Sequence, residues 1–287
     1  MAEKKGGPGG KLDIATIGGI ALALGGMLAG LLLEGGRIKD VAQITAALIV
    51  LSGTFGAVMV STPLPVLRGA LRRFGSILVE KSDSPNEVID EIIGYAAQAR
   101  KSGLVSLESV ATQIKDPFLR KALNLAIDGT GMQEIRHMME LEIQLQESRA
   151  HAEANVFESA GGYAPTIGII GAVMGLIQVM KNLANIEEVG HGIAVAFVAT
   201  VYGVGIANIV LIPAATKIKM RVEKQMQTHE LILEGVIGIV EGMNPKLIRS
   251  KLDAYLENPE GETAKGIAPG KAQSQPDKIR NPASARA

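Results

Sequence analysis

The sequence predicts an all-α polytopic membrane protein with four transmembrane helices and a helical cytoplasmic domain. Composition gives the first reason. Of 287 residues 47% are hydrophobic but only 3% aromatic, with 34 glycines and no tryptophan. Glycine-rich, aromatic-poor apolar stretches suit helices that meet through small side chains in lipid, where rings would hold the backbones apart. The second reason is four windows without a charged residue, 14–33, 41–67, 159–180 and 192–216. Each is long enough to cross roughly 30 Å of hydrocarbon. The third is their arrangement as two pairs around a long polar segment, which keeps an apolar period of helical spacing.

The opening segment, 1–13, carries Lys4, Lys5 and Lys11 among glycines and resembles the basic flank of a signal peptide. The apolar run behind it is 20 residues long (14–33), longer than a signal core and right for a retained anchor. The spans are placed at 14–33, 41–60, 163–180 and 193–213. Gly35-Gly36 turns the first pair, and a loop through Ile186-Glu187-Glu188 the second. Only Arg37, Lys39 and Lys181 fall in those two connections; the other basic residues share a side with both termini. Because Lys and Arg collect on the cytoplasmic side, both termini and the 61–162 loop are expected there.

Within the loop, Ser84-Pro85-Asn86-Glu87 forms a capping-box signature, and Gly103 ends the helix it starts. Val88, Ile92, Tyr95 and Ala99 are expected as its buried stripe. Further helices are expected over 107–115 and 118–128, and a longer one from Met132 through Met139, Ile143 and Gln146 into the third span. After the fourth span, 217–241 continues as an amphipathic helix that Gly242 and Asn244-Pro245 stop, within a C-terminal helical segment at 214–256. The segment 257–287, rich in Pro, Gly, Ser, Ala and Lys, lacks an apolar period and is expected to be disordered.

Several function classes fall away. A formal net charge of zero argues against nucleic acid, whose phosphates draw on excess Lys and Arg. No cysteine means no disulfide, thiolate metal site or thiol nucleophile. There is no phosphate loop, and His137 and His151 lie on a Glu-rich helical stretch that reads as a solvated face. The chain is therefore read as a non-enzyme without cofactor or metal. The spans themselves lack the ionisable group an ion pathway needs. They offer instead Pro165, Thr166, Gly168, Gly171, Ala172 and Gly175 in the third span, and Ala199, Thr200, Tyr202, Asn208 and Pro213 in the fourth. A lone threonine in a membrane helix ordinarily bonds back to its own backbone.

At these residues the chain resembles a family. Tyr163-Ala-Pro-Thr-Ile-Gly-Ile-Ile-Gly-Ala-Val-Met-Gly-Leu-Ile-Gln178 is similar to the third span of motility protein A and its sodium-using relatives. Ala199-Thr-Val-Tyr-Gly203, Ser52-Gly-Thr-Phe-Gly-Ala57, Gly242-Met-Asn-Pro-Lys-Leu-Ile-Arg-Ser-Lys-Leu252 and Ala99-Arg-Lys-Ser-Gly-Leu-Val-Ser-Leu-Glu108 resemble further family segments in the same order. The resemblance implies a flagellar stator subunit that turns ion motive force into torque. It assigns Arg100 and Glu108 to the rotor switch protein FliG. Pro165, Thr166, Ala172, Ala199, Thr200 and Pro213 go to the ion path. The missing carboxyl would come from a transmembrane Asp of a MotB- or PomB-type, peptidoglycan-anchored partner, with this chain self-associating as a pentameric ring in membrane lipid. Sodium-using relatives carry threonine where Ala172 and Ala199 stand, so the transported ion is expected to be the proton rather than sodium, whose water shell several oxygens must replace. An ExbB/TolQ-type energiser is an alternative, but those relatives have one span before the large loop, not two. A passive scaffold is another.

Overall fold

The computed structural model describes residues 11–77, 79–80 and 85–257. The cap expected at Ser84 and the segment from residue 258 onward lie outside them. β1 (Lys11–Leu12) leads into α1 (Ile14–Leu33), whose first turn is capped by the Asp13 carboxylate accepting from the Thr16 amide at 3.0 Å. No residue of α1 is buried.

The second span begins later than its charge-free window. A short α2 (Ile38–Val41) comes first, Ala42 and Gln43 are non-helical, and α3 (Ile44–Ser61) crosses. Ala46, Val50, Thr54 and Val58 recur every fourth residue on its buried face. α4 (Leu64–Ile77) follows after Thr62 and Pro63 and ends at β2 (Val79–Glu80), which pairs antiparallel with β1. Apart from this two-residue ladder, the described elements are helical.

α5 (Pro85–Ser102) starts at the proline, whose fixed φ suits a first helical position. It ends where Gly103 takes φ 82°, a left-handed conformation that L side chains resist. Its deepest face is turned by one residue from the expected stripe: Ile89, Ile92, Tyr95 and Ala96 are buried, Val88 and Ala99 half-buried. The helix expected over 107–115 is shorter, a 3₁₀ turn at Leu104–Leu107 followed by α6 (Glu108–Ala111). Residues 112–116 leave the helix because Asp116 caps the next one, accepting from the Leu119 amide at 2.8 Å ahead of α7 (Pro117–Ile127).

α8 (Met132–Lys181) is one 50-residue helix that joins the loop domain to the third span as expected. The second interspan turn is shorter than expected. It occupies 182–185, and Ile186-Glu187-Glu188 already open α9 (Ile186–Ile206), because Asn185 accepts from the Glu187 amide and the two glutamates favour a helix N-terminus. A π turn, Ala207–Leu211, passes α9 into α10 (Ile212–Val240), and α11 (Pro245–Glu257) folds back after Gly242. The larger core gathers Ile92, Leu119, Leu123, Met139, Ile232, Ile237 and Leu252 from α5, α7, α8, α10 and α11. Burying side chains of this size stabilises by about 1.5–3 kcal/mol each. A smaller cluster, Ala46, Val50, Val195, Val198 and Ala199, joins α3 to α9.

Candidate functional site

The third and fourth spans approach closely through small residues along their seam. A Cβ at Gly168 would lie 2.9 Å from the Ala199 carbonyl oxygen and 3.3 Å from the Thr200 Cα. One at Gly171 would meet the Ala199 Cβ at 2.8 Å, and one at Gly175 the Gly192 carbonyl at 2.7 Å. The glycine row of α8 thus fits a complementary row on α9, Gly192, Ala196, Ala199 and Gly203. The sequence reading named only the first row, although the second shows the same spacing of fours and threes. Lipid tails are as apolar as the side chains and supply no hydrophobic drive, so membrane helices associate by such close backbone approach.

The residues expected on the ion path do not share one environment in the single chain. Ala199 is fully buried against Gly171, while Ala172 and Thr200 are half-buried beside it and Thr166 is exposed. Both hydroxyls bond back to their own helices, Thr200 to the Ala196 carbonyl at 3.3 Å and Thr166 to the Tyr163 carbonyl at 2.8 Å. Thr54 on α3 is buried with its hydroxyl unpartnered among the described residues.

The two prolines come together through their neighbours. Pro165 lies inside α8 and has no N–H for the Gly161 carbonyl. Gly161 packs against Ile212, so close that a Cβ there would sit 2.6 Å from Ile212 Cγ1, and Pro213 is the next residue. The π turn directly before Pro213 widens the helix where an α-helical register would press the proline ring on the Ile209 carbonyl. Both irregularities therefore sit at one level of the α8–α10 pair.

Arg100 and Glu108 stand at the other end, in the loop domain. Arg100 is exposed in the last turn of α5 and Glu108 exposed at the start of α6. The Gly103 reversal brings these ends round one corner, held by Gln98 donating to the Ser106 carbonyl at 2.8 Å. No ion pair joins the two, nor links either to another described residue. Below this corner, Glu234 of α10 accepts from Arg136 of α8 and Lys251 of α11. Burial would raise its pKa, but those two cations outweigh burial and lower it. Where the first span begins, hydrogen bonds from Lys217 and the Thr16 amide lower the Asp13 carboxyl to about 2.

Among the described residues, no group of acidic or histidine side chains is placed to hold a metal ion. The four apolar helices are long enough to cross a bilayer, and their membrane windows bring no carboxyl, amine or imidazole to the seam.

Residues 110–231 match the model of the MotA/TolQ/ExbB proton channel family. Motility protein A of Bacillus subtilis is 34% identical over 264 residues, covering 92% of this chain and 97% of that one. The chain belongs to the motility protein A family. Its fold agrees with solved members of the family. The structure of C. jejuni MotAB matches with a TM-score of 0.81 at 30% identity, covering 90% of this chain and 100% of that one. The flagellar MotAB stator complex from Bacillus subtilis matches with a TM-score of 0.78 at 34% identity, covering 84% and 95%.

Proposed function

We propose that the chain is the membrane subunit of a flagellar stator, which conducts protons together with a MotB-type partner and turns the proton motive force into torque on the rotor. One observation carries the reading. The third and fourth spans pack closely on each other and continue into a folded domain through α8 and α10, and the four charge-free windows lack any carboxyl, amine or imidazole. An ion pathway in lipid requires such a group, so a second chain must bring it. The two solved relatives named above are MotAB complexes, one described as a flagellar stator complex.

On this reading both termini and the loop domain face the cytoplasm, several copies surround the partner as a pentameric ring, and the partner's carboxyl moves along the face bearing Ala172 and Thr200. Protonation removes the charge that holds it near Thr200. One charge crossing gains about 2.3 kcal/mol per 100 mV, enough to bias a step of the ring. Pro165 and Pro213 shape the helices beside that path. Arg100 and Glu108, unpaired at their corner, supply the charges that meet the rotor.

Motility complementation in a stator-deleted bacterium tests the proposal. The native chain with its partner restores swimming, and Arg100→Glu reduces it while leaving membrane assembly intact. Full swimming with Arg100→Glu and Glu108→Lys combined with an unaltered rotor would remove the rotor assignment. A proton leak from the purified chain without a partner would overturn the whole reading.

A further inference from the structure

The helix α4 closes on the membrane at both ends. It starts three residues after α3 leaves the bilayer, and its far end delivers β2 to β1, immediately ahead of α1. Its middle crosses α8: Arg73 reaches Glu153, and Phe74 stacks on Phe157 with ring centroids 5.3 Å apart. Gly69, one turn before Arg73, lies against the same Glu153 side chain, so successive turns of α4 pass α8 at one level. The helix therefore lies along the membrane boundary instead of projecting away from it.

Its outer face combines apolar and cationic side chains. Leu64 and Leu71 are 60% and 53% exposed, and Arg68 and Arg72 are exposed beside them, at four- and seven-residue spacings on one side of the helix. Four other described cations at this boundary end on carboxylates. Arg73 meets Glu153, Lys219 meets Glu158, and Lys217 and Arg221 meet Asp13. Arg68 and Arg72 have no hydrogen bond or ion pair with any described residue.

We propose that Arg68 and Arg72 form a binding site for anionic phospholipid headgroups, with Leu64 and Leu71 set into the acyl boundary beneath. A guanidinium donates two parallel hydrogen bonds to a phosphate, and an amphipathic helix in the interface combines apolar insertion with attraction to anionic lipid. Charge complementarity selects the occupant: four boundary cations are satisfied within the chain, and these two are left for an anion in the plane of the headgroups. The inference rests on the membrane reading above but not on the stator reading.

Native mass spectrometry and thermal melting of the full chain test it, in nanodiscs of phosphatidylcholine with and without phosphatidylglycerol. The wild-type chain retains phosphatidylglycerol preferentially and melts higher in its presence. Arg68→Gln/Arg72→Gln loses both effects, with affinity falling about fivefold for each charge removed. Lys219→Gln, which removes a paired cation, keeps them, and Arg68→Lys/Arg72→Lys keeps most of the preference. An unchanged preference in the Gln double variant would overturn the site. So would a lower oligomeric mass in that variant at equal lipid retention, because the arginines would then face a second copy. Failure of the wild-type chain with its partner to restore swimming, with its lipid preference intact, would count against the stator reading alone.

Discussion

The Tyr202 hydroxyl, carried by the fourth span, donates to the Val41 carbonyl and accepts from the Gln43 amide at 3.3 Å. These are backbone groups without helical partners where α2 stops and α3 has not begun; the Gln43 amide also donates to the Val41 carbonyl at 3.1 Å, and the hydroxyl completes the pair. A break at a bilayer edge leaves such groups without helical partners, and unsatisfied ones are costly where water is scarce. One side chain thus both fills this gap and ties the second span to the fourth.

Removing that hydroxyl by Tyr202→Phe keeps the ring packed on the α3–α9 cluster but leaves the two groups only their mutual bond, the Gln43 amide to the Val41 carbonyl at 3.1 Å. A loss of about 0.5–1.5 kcal/mol is expected. Amide hydrogen exchange should quicken at Gln43 and in the first turn of α3, with the rest of the spans unaffected.

The helix seam predicts a position-specific response to a single methyl. Gly168→Ala places a carbon 2.9 Å from the Ala199 carbonyl oxygen, and backbone on both sides leaves little room to yield. Such overpacking costs about 1–3 kcal/mol. Gly162→Ala, with nothing within 4 Å of its Cβ, should be neutral or stabilising by up to about 1 kcal/mol. Melting temperatures of the two variants in one detergent compare them directly.

His229 gives the loop domain a pH dependence. Its ring stacks on Phe118 at 4.2 Å, it is buried, and its Nδ1 has no partner among the described residues. Burial lowers its pKa, opposed by the Asp116 and Glu142 carboxylates. The unfolded chain therefore binds the proton first as pH falls. Stability from this group is whole above the ordinary histidine pKa and declines below it, by at most about 1.4 kcal/mol per pH unit. Melting curves between pH 7.5 and pH 5.5, values set by the usual range of about 6.5 for histidine, should show a decline that His229→Gln flattens.

On the proposed reading the choice of ion rests on hydroxyls, and Thr200→Val and Ala172→Thr address it from opposite sides. If Thr200 forms the partner carboxyl's polar niche, Thr200→Val should lower torque and proton flux severalfold at unchanged membrane level. Ala172→Thr adds an oxygen and should make swimming respond to sodium. Torque and flux measured with and without sodium check both outcomes.

Much of the architecture could be read before any coordinates, and the misses have physical causes. Charge-free length identified all four spans, and Met139 and Ile143 marked the helix that runs into the third. Length alone could not place the break at Ala42 and Gln43, since every residue there is uncharged; its clue was a tyrosine in an apolar span, whose polar tip needs a partner. The second turn lies earlier than hydropathy suggests: Glu187 and Glu188 have the polarity of a loop, yet acidic residues after an asparagine cap are the chemistry of a helix start. Glycines in α8 announced close packing, while the matching row in α9 was hidden among alanines. Fourfold spacing around Ile92 located the α5 stripe, but Ile89 and Ala96 displaced Val88 and Ala99 because α10 and α11 approach from one side.

The 50-residue α8 has a mechanical consequence. It is a strut about 75 Å long, and a tilt of about 5° at the level of Pro165 would swing its Met132 end, about 50 Å away, through about 4 Å. Its neighbour crosses the same boundary through a π turn, where an extra residue can be absorbed without breaking the helix. A stiff rod beside a compliant one converts a small displacement in lipid into a larger sideways stroke outside it.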